Sequence, residues 1–476
     1  MQDLLKEIAL LSSTSATLGW DQETYAPAGS VSHRAKQLAY LQGRIHKLQT
    51  SDQFRDGLPS LDPANQRELT HCFDRATKLP QELVERDSET SSLAKAAWSE
   101  AREKNDFAAF APLFDKLLGI AREKADHWGY EDEPYDALLS GYERGAKTRE
   151  VAELFDSIDV ELAQIAAAAV QASASVPADF LHGPAPIEAQ QTLNREIAGS
   201  LGFDFEEGRI DTTAHPFCTT LGPADVRLTT RYEEHDFTSS LFGVMHETGH
   251  GLYEQGLPPS NFHLPSGQAV SLGIHESQSR LWENHVGRSR PFWGKWLPRA
   301  QELFPHLRDI PLDDFRVAVN RCAYSAIRVE ADEATYDLHI LLRFKLERAL
   351  LAGELEVADV PAAWNETFEK LFGFRPKNDS EGCLQDIHWA MGGLGYFATY
   401  SLGNINSAQL FEAAMEDHEI SSAFGEANFL PLLDWMREKI HRHGSTLFPQ
   451  DLIEQATGSK TNPAPYLAHL RKKGAA

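Results

Sequence analysis

A chain of 476 residues, 42% hydrophobic and 24% charged, has the balance of a soluble globular protein long enough to bury a large core. Its 70 acidic side chains outnumber 45 basic ones, and the formal net charge of −25 argues against a phosphate-binding surface and so against nucleic acid as a partner. No run approaches the ~20 apolar residues of a membrane span, and four scattered cysteines without a Cys-x-x-Cys pair indicate neither a disulfide framework nor a thiolate metal site.

In chain order, Met1–Glu7 is amphipathic and carries acids where a secretory leader has basic residues, so a cytoplasmic location is expected. The charge run Glu100–Lys104 reads as the solvated face of a helix. Leu154–Gln171 has apolar residues at three-to-four spacing around an alanine-rich interior, which predicts a helix. Breaks at Ser175–Pro177, Gly183–Pro186 and Leu257–Ser260 are short, and no flexible linker is evident. Val226–Tyr232 alternates and is rich in β-formers, which predicts a strand. Tyr336–Leu346 repeats the helical pattern, with charges expected on its other faces. Length alone suggests about two to four domains. The uninterrupted helical patterning instead predicts one large, mainly α domain over 1–476 with a small β-sheet.

The stretch with the most chemical content is His246-Glu247-Thr248-Gly249-His250, which follows the apolar run Ser239–Met245. Residues four apart on a helix lie about 40° apart around the axis with ~6 Å of rise. Both imidazoles can therefore face one ion while Glu247 sits beside it. In that arrangement zinc holds a water and the glutamate takes its proton. Taken alone, the pentapeptide is also compatible with a helix bearing two incidental histidines. A four-coordinate catalytic site needs one more protein ligand. Ser271 caps a second predicted helix running to Asn284, and His263, His275, Glu276 and Glu283 are candidates. Glu254, a turn beyond His250, lies too far along the axis to ligate. Spacing does not choose between His275 and Glu276, which point about 100° apart.

The pentapeptide is followed, 26 residues after its second histidine, by the glutamate of His275-Glu276-Ser277-Gln278-Ser279-Arg280. With it come, in order, Trp20–Thr24, His215-Pro216-Phe217, Asp225–Thr229, Ile327–Asp332, Gly382–Trp389 and Gly395–Tyr400. The set resembles the M32 family, the carboxypeptidase Taq-type metallocarboxypeptidases, over nearly the whole chain. The resemblance implies His246, His250 and Glu276 as metal ligands and Glu247 as general base. It also implies a single, mostly helical body with a long deep groove, assembled as a homodimer, with cobalt able to replace zinc. The donor set itself also admits manganese. The family commonly has proline where Ala398 stands and alanine where Ser401 stands, which bears on the shape of that loop.

Recognition of a free C-terminal carboxylate calls for a positioned arginine, which makes two parallel charge-assisted hydrogen bonds. Arg328 is the first candidate, against the plainer reading of a salt bridge to Asp332 one helical turn on. Arg227 is the alternative, and equally a brace for the predicted strand. His388, Tyr396 and Tyr400 are candidate donors to the oxyanion, each also readable as a buried aromatic. His215 is a candidate for the groove wall, and Asp386 for orienting an imidazole. The expected activity is release of C-terminal residues from peptides. A zinc endopeptidase or oligopeptidase of the same core is the alternative. A scaffold with a structural metal is a weaker one, since a structural site has no need of Glu247.

Overall fold

The alternating segment forms a strand, and helical periodicity governs nearly all the rest. A computed structural model of the chain describes residues 1–473. The domain is mainly α, as expected, and among the described residues its one sheet has three strands. Predicted helix Leu154–Gln171 lies inside the observed helix Thr148–Ser173. Glu100–Lys104 closes the helix Gln81–Lys104, with its four charged residues exposed and Ala101 buried. No described helix is long and apolar enough to cross a membrane.

Within this domain the chain gathers into two compact units. The first comprises Met1–Ala76, Pro177–Asn320 and Gly403–Asn462. Its sheet consists of β1 (Gly208–Thr212), β2 (Cys218–Gly222) and β3 (Asp225–Thr230), in the order β1-β3-β2. β3 runs parallel to β1, pairing Gly208 with Val226, and antiparallel to β2, pairing Cys218 with Leu228. Val226 and Leu228 are buried in the core of this unit.

The helix Phe237–Gly256, here called the metal helix, begins where the Asp236 carboxylate accepts hydrogen bonds from the Thr238 and Ser239 amides. Its apolar lead-in buries Leu241, Val244 and Met245. A Cβ on Gly251 would stand 2.7 Å from the Phe203 ring and 2.8 Å from Leu228 Cδ2, so the missing side chain lets this helix lie against β3. Around it Phe237 stacks on Phe304 at 4.5 Å, and Trp293 packs on Phe315 at 4.4 Å. Each such fully buried side chain stabilises the fold by about 1.5–3 kcal/mol.

The second unit comprises Thr77–Val176, Arg321–Leu402 and the described part of Pro463–Ala476. Its central helix, Glu333–Ala352, contains the predicted Tyr336–Leu346 segment and departs from expectation. Several of its polar and charged residues do not face water: Asp337, His339, Arg343 and Glu347 are buried, while Lys345 is exposed. Aromatic side chains surround it, with Phe344 edge-on to both Tyr135 and Phe155. Nearby, Phe114 stacks on Trp389 at 5.0 Å.

Candidate metal centre

The helix predicted after Ser271 forms as Leu272–Arg280, with Ser271 Oγ accepting the Ile274 amide at 3.1 Å. It continues into a single π-helical stretch, Leu281–Val286. It carries Glu276 up to the metal helix, where Nε2 of His246 and Nε2 of His250 each lie 3.6 Å from Glu276 Oε2. The three donor atoms lie within 4.8 Å of one another. The remaining carboxylate oxygen, Glu276 Oε1, accepts from Arg280 Nε at 2.7 Å, and Ser279 Oγ donates to Oε2 at 3.1 Å.

The ring nitrogens on the far side of both histidines are also engaged. His246 Nδ1 lies 3.0 Å from Glu283 Oε2, and Glu283 is further held by Arg280 and Arg288. His250 Nδ1 lies 2.6 Å from His275 Nδ1, and His275 Nε2 lies 2.7 Å from Glu254 Oε1. Of the other candidate ligands, Glu283 and His275 thus stand behind the two imidazoles. His263 is half-buried and turned to another partner, with Nε2 on Gln2. Glu254 does not reach the donor set directly, in line with its distance along the axis.

Burial is the largest influence on these groups. It disfavours the imidazolium of His246, yet Glu276 and the Glu283 hydrogen bond together hold that pKa above the ordinary histidine value. Burial, then His275 and His246, push His250 well below it. Glu283 is drawn down to about 2: burial opposes ionisation but Arg280 and His246 outweigh it. Burial lifts Glu247 to about 7, and its Oε2 is buried without a hydrogen-bond partner.

These residues fit a divalent cation. Tetrahedral zinc with nitrogen and oxygen ligands at ~2.0–2.2 Å sets neighbouring donors about 3.3–3.5 Å apart, close to the 3.6 Å found for both imidazole–carboxylate pairs. The concentration of carboxylates that raises His246 also favours a cation. Two imidazoles with one carboxylate are a donor set suited to zinc, and cobalt and manganese are compatible with it.

Arg328, His388, Tyr396 and Tyr400 come together in the second unit. The His388 ring lies 5.1 Å from that of Tyr396 and 6.4 Å from that of Tyr400, and Arg328 Cζ lies 5.1 Å over the Tyr400 ring. Arg328 does not pair with Asp332 along a helix. It sits in a single 3₁₀ turn, Arg328–Glu330, while Asp332 caps the next helix through the Ala334 and Thr335 amides. Its partners are Asp386, at 2.7 Å from Nη2, and the Tyr336 hydroxyl, at 2.7 Å from Nη1. Asp386 also accepts from Arg343 Nε at 2.8 Å. Asp386 is therefore held by two arginines, and its distance of 3.9 Å from His388 Nδ1 is too long for the hydrogen bond that orienting an imidazole requires. Burial takes His388 down to about 4, and Nδ1 has no hydrogen-bond partner.

In the first unit Arg227 grips Asp225 through Nε at 2.7 Å and Nη2 at 2.8 Å and lies 4.1 Å over the Trp20 ring, which matches the strand-bracing alternative. His215 is exposed on the loop between β1 and β2.

The model of one protein family, described as carboxypeptidase Taq (M32) metallopeptidase, matches residues 1–474. The chain belongs to the M32 family. This M32 metallocarboxypeptidase is 42% identical to thermostable carboxypeptidase 1 of Thermus thermophilus over 99% of this chain and 97% of that protein. It is 37% identical to carboxypeptidase 1 of Bacillus subtilis over 99% and 96%. Its fold is similar to the crystal structure of the M32 carboxypeptidase from Deinococcus radiodurans, with a TM-score of 0.96 and 38% identity over 99% and 97% of the two chains. What the sequence did not yield in this M32 enzyme is the supporting layer. Arg343 was hidden in an apolar helical pattern, and its one signal was a lone arginine among Leu341, Leu342 and Phe344.

Proposed function

We propose that this chain is a zinc-dependent carboxypeptidase that releases C-terminal amino acids from peptides, with His246, His250 and Glu276 as metal ligands and Glu247 as general base. The observation that carries the reading is the convergence of two imidazole Nε2 atoms on one oxygen of Glu276, one residue along the helix from a buried carboxylate oxygen without a partner.

A divalent cation held by these three ligands supplies Lewis acidity to a peptide carbonyl and lowers the pKa of a water. Glu247 moves the proton. Buried beside the ligand pair, with one carboxylate oxygen that has no hydrogen-bond partner, it is placed to take a proton from the attacking water and return it. The water oxygen bonds to the carbonyl carbon, the C–N bond breaks, and the proton on Glu247 passes to the leaving amine. Both products leave without an acyl-enzyme, so the route needs no nucleophilic serine or cysteine.

The substrate carboxylate goes to Arg328 in this reading. Arg328 and Arg343 bring two positive charges to the one negative charge of Asp386, and the excess charge matches a single carboxylate. Each terminal nitrogen of Arg328 carries two N–H groups and has one partner, so a donor is left on each. His388, neutral at pH 7, and the hydroxyls of Tyr396 and Tyr400 are proposed as donors to the developing oxyanion. Arg227 is proposed as a brace for β3, and His215 as an exposed contact for peptide. A homodimer follows from the family resemblance.

Removal of metal with a chelator and stoichiometric return of zinc tests the proposal. Release of C-terminal residues is expected to return at one zinc per chain. Full activity in the metal-free protein would contradict it.

A further inference from the structure

We infer that Glu347 is a positioning residue that sets His388 in place by clamping the loop that carries it, an inference that rests on the donor role proposed for His388. Glu347 and Arg343 are four residues apart on the helix Glu333–Ala352, so they lie on one face of it. Both are fully buried, and both reach into the same segment. Arg343 Nε donates to Asp386 Oδ2 at 2.8 Å. One turn further on, Glu347 Oε1 accepts from Trp389 Nε1 at 2.8 Å, and Oε2 accepts from the Gly395 amide at 3.1 Å. An indole N–H and a backbone N–H only donate, so both oxygens are acceptors in these bonds. The Tyr135 hydroxyl, 2.9 Å from Oε2, can donate or accept, so the two bonds to the loop hold in either charge state of the carboxyl.

His388 lies between these points of attachment, directly before Trp389. It begins the 3₁₀ turn His388–Met391, and its carbonyl accepts from the Gly393 amide at 2.8 Å. Its ring has no hydrogen-bond partner at Nδ1, so it is aimed by its backbone and by the rings packed on it, Phe397 at 4.5 Å and Tyr396 at 5.1 Å. Those two residues follow directly after Gly395. One carboxyl thus holds the residue after His388 and the residue before Tyr396, and with them the contact between the two rings. Trp389 is itself seated, stacked on Phe114 at 5.0 Å and edge-on to Trp364 at 5.9 Å, so the indole is a rigid strut. A donor to the oxyanion acts where charge develops in the transition state. A loop displaced by roughly 1 Å therefore loses rate and not binding.

The test compares steady-state kinetics of full-length, zinc-loaded variants on one peptide with a free C-terminus, well below each melting midpoint. Glu347→Gln leaves an amide NH₂ facing one of two N–H donors, and Trp389→Phe keeps an aromatic ring while deleting the indole N–H. Both are expected to lower kcat about 10–100-fold with KM unchanged. Tyr135→Phe deletes a buried hydrogen bond of the same carboxyl and spares both bonds to the loop. It is expected to melt lower than wild type and to keep kcat within about twofold, since Tyr135 holds Glu347 and not the loop. In the metal-free protein, the His388 ring ¹H resonances, assigned with His388→Ala, are expected to move more in Glu347→Gln than in Tyr135→Phe. Unchanged kcat in either loop variant, a loss in Tyr135→Phe equal to theirs, or unmoved His388 resonances in Glu347→Gln would overturn the clamp. Unchanged kcat in His388→Ala would overturn the donor role of His388 and the clamp with it, a separate failure that this variant alone identifies.

Discussion

Gly249 faces the backbone of Gln278 so closely that a Cβ there would stand 2.6 Å from the Gln278 carbonyl oxygen and 2.6 Å from Ser279 Cα. Both obstacles are backbone, so neither swings away. The glycine of His-Glu-Thr-Gly-His therefore sets the approach of the helix bearing two imidazoles to the helix bearing Glu276. On an exposed helix Gly→Ala gains about 1 kcal/mol. Here overpacking, typically about 1–3 kcal/mol, works against that gain and, with backbone on both sides, exceeds it. Gly249→Ala is expected to melt several degrees lower and to bind zinc more weakly, as read by thermal denaturation and chelator competition. A more stable variant would contradict this.

Glu247→Gln removes the proton carrier and leaves the three ligands in place. The expected result is a fall in kcat of about 10²–10⁴-fold, with zinc content near one per chain by elemental analysis. Loss of zinc together with activity would point to a ligand role for Glu247 instead.

Asp386 is the counter-charge to two buried guanidiniums. Removing one partner of a buried ion pair costs about 3–5 kcal/mol, so Asp386→Ala is expected to lower the denaturation midpoint strongly. Arg328→Met is expected to act on function, raising KM for peptides with a free C-terminus more than for C-terminal amides. An equal effect on both would contradict the carboxylate role.

Two buried groups in the second unit give opposite pH dependences. Burial lowers His388 to about 4 from an ordinary value near 6.5, so the unfolded chain takes up this proton first as pH falls. Its contribution is present above pH ~6.5 and is lost as pH falls through about 4. Burial raises Glu347 to about 7, above an ordinary 4.5, despite hydrogen bonds from Trp389, Gly395 and Tyr135. Its contribution is present below about pH 4.5 and is lost as pH rises through about 7. Melting curves from pH 4 to 8 check both. The wild-type advantage over His388→Gln is expected to shrink toward low pH, and that over Glu347→Gln toward high pH. Flat differences in either series would contradict the assigned ionisation.

Local rules made much of this legible in advance. The metal helix, the Ser271 cap and β3 follow from spacing, hydroxyl chemistry and alternation. Each depends on neighbours within a few residues. Glu276 needed more, since spacing left it level with His275, and only the family resemblance separated them. The parts that escaped depend on pairs distant in sequence. Arg343 and Asp386 are 43 residues apart, and neither predicts the other. The helix Glu333–Ala352 mixes polar and apolar residues, so periodicity reads its charges as solvated, whereas interior partners satisfy them. The π-helical stretch that brings Glu283 under His246 leaves no sequence pattern.

The most direct measurement compares one peptide as its free acid and as its C-terminal amide, with zinc added and products followed by mass spectrometry. A carboxypeptidase anchored on the terminal carboxylate removes residues stepwise from the free acid and leaves the amide intact. Internal cleavage of both peptides would contradict that reading in favour of an endopeptidase.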